Sequence, residues 1–268
     1  STATHTIVGG AANGCDSIVT LNLTISAIVL NTTSDSSHCG QADGSVDVSA
    51  SGGIVAVNYT YLWTDALGNL VGNTSIVNNL PAGTYTILVT DDIGCIDSAL
   101  VTISDLPVGT IGAAVTSNYN VAQISCNGAC DGEITITMTG GNAPFNYSVN
   151  GIPQPSAIVT GLCAGNYTIM VVDDFGCISN TNILISEPTP IALNTIIVNE
   201  VCLGDCDGSI TQNASGGTAP YNYSFDNGVS YGVVNNLGFL CAGNYNLATR
   251  DANGCTFTLN VTVNQGAV

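Results

Sequence analysis

The sequence predicts an all-β protein: tandem immunoglobulin-like β-sandwich modules of about 80 residues, disulfide-bonded and arranged as an elongated rod. Three observations predict it. The first is a repeated phrase. Leu162-Cys-Ala-Gly-Asn-Tyr-Thr-Ile-Met-Val-Val-Asp-Asp-Phe-Gly-Cys177 returns at Leu80 to Cys95 and at Leu240 to Cys255, with a partial echo at Thr6 to Cys15. The closing Gly-Cys pairs fall at 15, 95, 177 and 255, spaced 80, 82 and 78 residues apart. The second is a period of two in apolar residues between turn signals, as in Tyr167, Ile169 and Val171, which places alternate side chains on one face of a strand. The third is a set of cysteines at matching places in successive repeats.

Taken in order, residues 1–26 read as the last two strands of an incomplete module. Thr4 to Val8 forms one strand and Ile18 to Ile25 the next, with Val19, Leu21 and Leu23 on one face. The first full module, 27–105, has a lead strand near Ile28 and an Asp43-Gly44 turn. A strand follows with Val46 and Val48 inward, then a Gly52-Gly53 step and a strand with Tyr59, Tyr61 and Trp63 on one face. Ile76 to Leu80, the Tyr85 strand and a last strand to Ile103 complete the short strands of an immunoglobulin-like sandwich, with Trp63 as the buried central Trp. Modules 106–187 and 188–268 repeat this with Asp131-Gly132 and Asp207-Gly208 turns and Gly140-Gly141 and Gly216-Gly217 steps. Tyr85, Tyr167 and Tyr245, two residues after each Ala-Gly, are expected to form tyrosine corners, each hydroxyl bonding upstream backbone. The linkers Ser104 to Pro107 and Ser186 to Pro190 are short and proline-containing, which restricts bending.

Composition excludes several classes of function. Asp and Glu outnumber Lys and Arg by 19 to 1, for a net charge of -18, and such a surface repels phosphate backbones and anionic lipid heads. No apolar run is long enough to span a bilayer. Eleven cysteines indicate an oxidising, extracellular compartment. The absence of an initiator Met and of a signal peptide is expected for a mature product or an internal piece of something longer.

Each full module has a Cys before its Asp-Gly pair, at 39, 126 and 202, and one after its hairpin Gly, at 95, 177 and 255. Modules two and three add Cys130 with Cys163 and Cys206 with Cys241. Module one has Ala42 and Pro81 there, so the pair is lost together. The expected bonds are Cys39–Cys95, Cys126–Cys177, Cys130–Cys163, Cys202–Cys255 and Cys206–Cys241, with Cys15 lacking a partner within the segment. Zinc competes for the four thiols 126, 130, 163 and 177, but module one keeps the outer positions with only two thiols and no well-placed histidine.

Cys126-Asn-Gly-Ala-Cys-Asp-Gly132, Gly140 to Tyr147, Leu162 to Tyr167 and Asp174 to Cys177 together resemble the SprB-type repeat of Bacteroidetes surface proteins. The third module matches through Cys202 to Gly208, Gly216 to Tyr223 and Leu240 to Cys255. The first departs by a one-residue deletion between Cys39 and Asp43 and by Ile54 to Val57 where Ala-Pro is expected. Asn13 to Thr24 looks like a related Ig-like repeat. The resemblance implies large secreted cell-surface proteins exported by the type IX system, serving as gliding adhesins or extracellular filaments, and supplies no catalytic residues.

His5 and His38 have no nucleophile pattern around them, so no enzyme is expected. Asp91, Asp92, Asp173 and Asp174 are candidate calcium ligands, although Asp also favours turns for backbone reasons; no other cofactor is expected. Ser17 and Ser98 resemble O-glycan acceptors of Bacteroidetes. The function expected is a non-enzymatic extracellular stalk or adhesin segment, whose partners are neighbouring modules of the same or identical chains and surface glycans. Two alternatives stand beside it. One is a self-assembling filament subunit completed by strand addition through residues 1–26; the other is a carbohydrate-binding module with exposed aromatics such as Tyr119 and Tyr231.

Overall fold

The computed structural model describes residues 2–7, 17–22, 27–54 and 58–267, the first two segments by backbone alone. Among these, every regular element is a β-strand. The chain forms two compact units, Ser1–Val108 and Gly109–Val268.

In the first unit, Thr2–Ile7 pairs antiparallel with Ser17–Asn22. Cys15 lies outside the described residues, as do the side chains of Val19 and Leu21 and all of Leu23. The sandwich that follows packs two antiparallel sheets. One has the strands Ile28–Asp35, Gly44–Gly52 and Ile76–Leu80 in that spatial order; the other has Ile96–Ile103, Gly83–Thr90, Thr60–Thr64 and Leu70–Gly72. Alternation sorts the faces: Val46 and Val48 from one sheet meet Trp63, Tyr85, Ile87 and Val89 from the other. Trp63 is fully buried, and its indole N–H donates to the Thr74 carbonyl at 2.9 Å, so burial leaves no polar atom unpaired.

The second unit holds two sandwiches of the same plan. Thr110–Val115, Gly132–Thr139 and Ile158–Leu162 face the sheet Ile152–Gln154, Asn146–Val149, Gly165–Val172 and Ile178–Ile185. Ala192–Val198, Gly208–Ser215 and Asn236–Leu240 face Asn222–Ser224, Gly243–Arg250 and Thr256–Val263. Ile134 and Ile136 are buried in the first of these cores and Ile210 in the second. The place of Ile136 is taken in the last module by Gln212. Its amide is wholly buried and satisfied, donating to the Ser224 carbonyl at 2.8 Å and accepting from the Thr249 hydroxyl at 3.0 Å.

One local expectation is corrected. The Asp-Gly pairs are not turns: Gly44, Gly132 and Gly208 open buried strands. A Cβ at Gly132 or Gly208 would lie 2.8 Å from the carbonyl of Leu162 or Leu240, so glycine is there for close strand approach. Opposite each of these glycines the partner strand bulges by one residue in the left-handed region: Asn79 (φ 60), Gly161 (φ 74) and Phe239 (φ 59). Phe239 is 93% exposed, so little burial offsets its backbone strain. Phe239→Gly is expected to stabilise the last module by about 1 kcal/mol, read as a rise in the urea midpoint.

Candidate functional site: the cysteine loops at the module ends

In each module two loops carry the outer cysteines, and a carboxylate closes each loop. At the exit end, the residue before the cysteine donates its backbone N–H to the Asp of the Asp-Gly pair. His38 donates to Asp43 at 2.8 Å, Ser125 to Asp131 at 3.1 Å and Val201 to Asp207 at 2.9 Å. His38 Nδ1 also lies 2.9 Å from Asp43 Oδ2, and that hydrogen bond is the main reason the Asp43 carboxyl sits below its ordinary range. These loops lie against the segment that leaves the module: Cys39 N–H donates to the Leu106 carbonyl, Asn127 to the Pro188 carbonyl and Leu203 N–H to the Ala267 carbonyl.

At the entry end, Asp91, Asp173 and Asp251 are buried. Oδ1 of each accepts two backbone N–H groups, from Ile93 and Cys95, from Phe175 and Cys177, and from Asn253 and Cys255. Oδ2 reaches across to the diglycine step, accepting from Ile54, Asn142 and Thr218. The N–H of Ile54 is the main influence holding the Asp91 carboxyl below its ordinary range. The second glycine of the step has positive φ, and a Cβ on Gly53 or Gly217 would stand 2.8 or 2.7 Å from the Asp oxygen. Both motifs were legible in the sequence; their contact was not. This loop lies beside the segment entering the module, with Gly53 N–H donating to the Ala27 carbonyl and Gly217 N–H to the Thr189 carbonyl.

This polarity decides the disulfides. The inner pairs are Cys130–Cys163 and Cys206–Cys241. The outer pairs expected within modules do not form. Cys126 bonds Cys255, joining the exit loop of one module to the entry loop of the next, with Cα atoms 5.7 Å apart. Cys95 and Cys202 are exposed free thiols, and Cys39 and Cys177 are disulfide-bonded cysteines. Thus Cys39–Cys95, Cys126–Cys177 and Cys202–Cys255 are all corrected. The physical reason is distance: an eight-residue strand such as Gly165–Val172 spans about 26 Å, whereas bonded cysteines need Cα atoms within about 7 Å. The bond between modules is flanked by polar contacts. Asn253 Nδ2 donates to the carbonyls of Tyr119 (3.1 Å) and Ser125 (3.0 Å) and to the Thr218 hydroxyl (3.1 Å), and its Oδ1 accepts from Asn120 at 2.7 Å. Nothing in the periodicity singled out Asn253; the only signal is its polarity where Ile93 and Phe175 stand in the other modules.

The tyrosine corners are present. Tyr85, Tyr167 and Tyr245 donate to the carbonyls four residues upstream, at Pro81, Cys163 and Cys241, over 2.7, 2.9 and 2.8 Å. Tyr119 and Tyr231, expected as exposed aromatics, are both half-buried and engaged: Tyr119 donates to the Asp131 carbonyl, and the Arg250 guanidinium lies 4.4 Å over the Tyr231 ring. Ser98 is exposed on the strand Ile96–Ile103; the Ser17 side chain lies outside the described residues. Among the described residues one group has metal-ligand spacing, Glu200 with Cys206 and Cys241, but the two sulfurs are bonded to each other and Glu200 accepts from the Ala242 N–H. Among the described residues no helix is long and apolar enough to cross a membrane.

Three segments, 30–68, 118–153 and 194–230, match the SprB repeat family. Each match includes an exit loop with its cysteine and ends before the Ala-Gly-x-Tyr phrase. No curated protein sequence matches the chain. Solved structures similar to it include immunoglobulin domains 1–5 of Sidekick-1, with 12% identity over 89% of this chain and 58% of that one, at a TM-score of 0.36. The N-terminal eight Ig domains of Down Syndrome Cell Adhesion Molecule align with 11% identity over 99% of this chain and 43% of that one, TM-score 0.36. A structure of a 1.5-MDa bacterial ice-binding adhesin aligns with 12% identity over 91% of this chain and 99% of that one, TM-score 0.38. The chain thus spans 58% and 43% of the lengths of the first two. Each of the three sandwiches thus contains one segment that matches the SprB repeat.

Proposed function

We propose that this chain is a non-enzymatic segment of an extracellular, cell-surface adhesin, whose sandwiches hold an adhesive surface away from the cell and resist tension. The finer reading, export by the type IX system and a role in gliding or attachment, rests on the repeat family. The observation that supports the mechanical role is the Cys126–Cys255 bond. Tension entering near Gly109 can pass through the sulfurs at 126 and 255, a covalent path that bypasses the sequence between them. Calcium is not needed in this account, because Asp91 already accepts three backbone N–H groups; adding a chelator should leave the melting temperature unchanged, and a fall would overturn this point.

Single-molecule stretching tests the role. Under oxidising conditions the last two modules should release only their short unshielded ends. After reduction, the separation of 129 residues should add about 430–460 Å of contour length. Equal extension in both conditions would contradict the proposal. A second reading, filament assembly by strand addition through residues 1–26, is favoured by one observation: Thr2–Ile7 and Ser17–Asn22 form a two-stranded sheet with no third strand among the described residues. Concentration-dependent assembly that disappears on deleting 1–26 would support it.

A further inference from the structure

Cys202 and Cys95 are the two exposed free thiols among the described residues, and each occupies one half of the junction that Cys126 and Cys255 complete. The Cys202 loop is built like the Cys126 loop: Val201 N–H is held by Asp207 as Ser125 N–H is held by Asp131. The Cys95 loop is built like the Cys255 loop, with Asp91 accepting from Cys95 N–H at 2.8 Å and Asp251 from Cys255 N–H at 2.9 Å. Both thiols are thus held by the backbone geometry that produces the bond at 126 and 255. Their surroundings differ in a matching way. The closed junction is polar, through Asn253, Asn120 and Ser125. The two open loops carry exposed apolar side chains: Val201 and Leu203, 67% and 51% exposed, flank Cys202, while Ile93 and Ile96, 62% and 60% exposed, lie beside Cys95. Exposed apolar side chains on both loops would be covered by closing a junction of the same type.

We propose that Cys202 and Cys95 are the open halves of a directional inter-module disulfide, Cys202 taking the entry-loop cysteine of a following SprB module and Cys95 the exit-loop cysteine of a preceding one. This extends the mechanical role proposed above from one junction to a continuous covalent line through successive modules. The shared chemistry is a cysteine on an Asp-closed loop; it can come from a second copy of this chain or from a further module of a longer polypeptide. Bond formation breaks two S–H bonds and makes one S–S bond. Two protons and two electrons pass to a disulfide oxidant, which is reduced to two thiols by exchange through a mixed disulfide.

The test has two arms on full chains with Cys15→Ser as background. In the first, Cys95→Ser and Cys202→Ser variants are mixed in an oxidised-glutathione buffer. A dimer that forms only in the mixture, is dissolved by reductant and contains a peptide linking Cys202 to Cys95 supports a second copy as partner. In the second, protein taken from its native surface is alkylated without reduction and mapped. Cys202 linked to an entry-loop cysteine outside this sequence supports a further module, and Cys202 linked to Cys95 supports a second copy. Alkylated Cys202 and Cys95 in native material together with no mixed dimer, or symmetric Cys202–Cys202 bonds in either arm, overturn the proposal. Because the Cys126–Cys255 bond is mapped in the same digest, failure here is distinguishable from failure of the mechanical role.

Discussion

Replacing Cys126 and Cys255 together by serine is expected to separate the unfolding of the last two modules into two calorimetric transitions and to remove about 5 kcal/mol of stability. The bond closes a separation of 129 residues, and in the chain-entropy account a loop of that length gives about 5 kcal/mol. The inner bonds, with separations of 33 and 35, give about 4 kcal/mol each and act inside one module. The polar contacts that remain between the modules after the substitution, the Asn253 cluster and the Asn127 bond to the Pro188 carbonyl among them, are hydrogen bonds worth about 1 kcal/mol apiece. That is too little to keep two cores melting as one. A single transition unchanged in midpoint would show that noncovalent contacts couple the modules.

Asp251→Ala is the second large effect. Asp251 is 2% exposed and accepts three backbone N–H groups, from Asn253, Cys255 and Thr218. Alanine strands these donors at about 1–3 kcal/mol each, so a loss of about 3 kcal/mol or more is expected. It also frees the turn that presents Cys255, so oxidative refolding should leave more titratable thiol than in the parent chain. Asp251→Asn keeps an acceptor and should fall between the two. The matching residue in the first module gives the pH dependence. Donation by Ile54 holds the folded Asp91 carboxyl below its unfolded value, so its contribution is present above the ordinary carboxylate range. It is lost as pH falls through the lower folded value. Asp226, pushed down to about 2 chiefly by the Ser224 and Ser230 hydroxyls, extends the acid loss further in the last module. Denaturant midpoints that do not fall below pH 4 would contradict this.

The sandwich plan was legible because it depends on period-two burial and turn chemistry, which act over a few residues. Val46, Trp63, Ile134 and Ile169 are buried as alternation requires, and the Ala-Gly-x-Tyr phrase makes the corner. The outer disulfides were not legible, because pairing depends on which end of a module each loop occupies. Cys126 and Cys177 are neighbours in a list of motifs, yet the segment leaving a module lies beside the first and the segment entering it beside the second. Joint absence in module one did identify Cys130 with Cys163, since a pair inside one module leaves that mark. Cys126 and Cys255 leave none, because each module keeps both positions filled. Gln212 was missed for a similar reason: a polar residue on an inward face is readable only with its partners Ser224 and Thr249 in place.

Peptide mapping under non-reducing conditions tests the covalent junction most directly. Lys is absent and Arg250 is the one Arg, so pepsin is the suitable protease. A peptide containing Cys126 joined to one containing Cys255 is the expected product, and Cys126 joined to Cys177 with Cys202 joined to Cys255 would contradict the account.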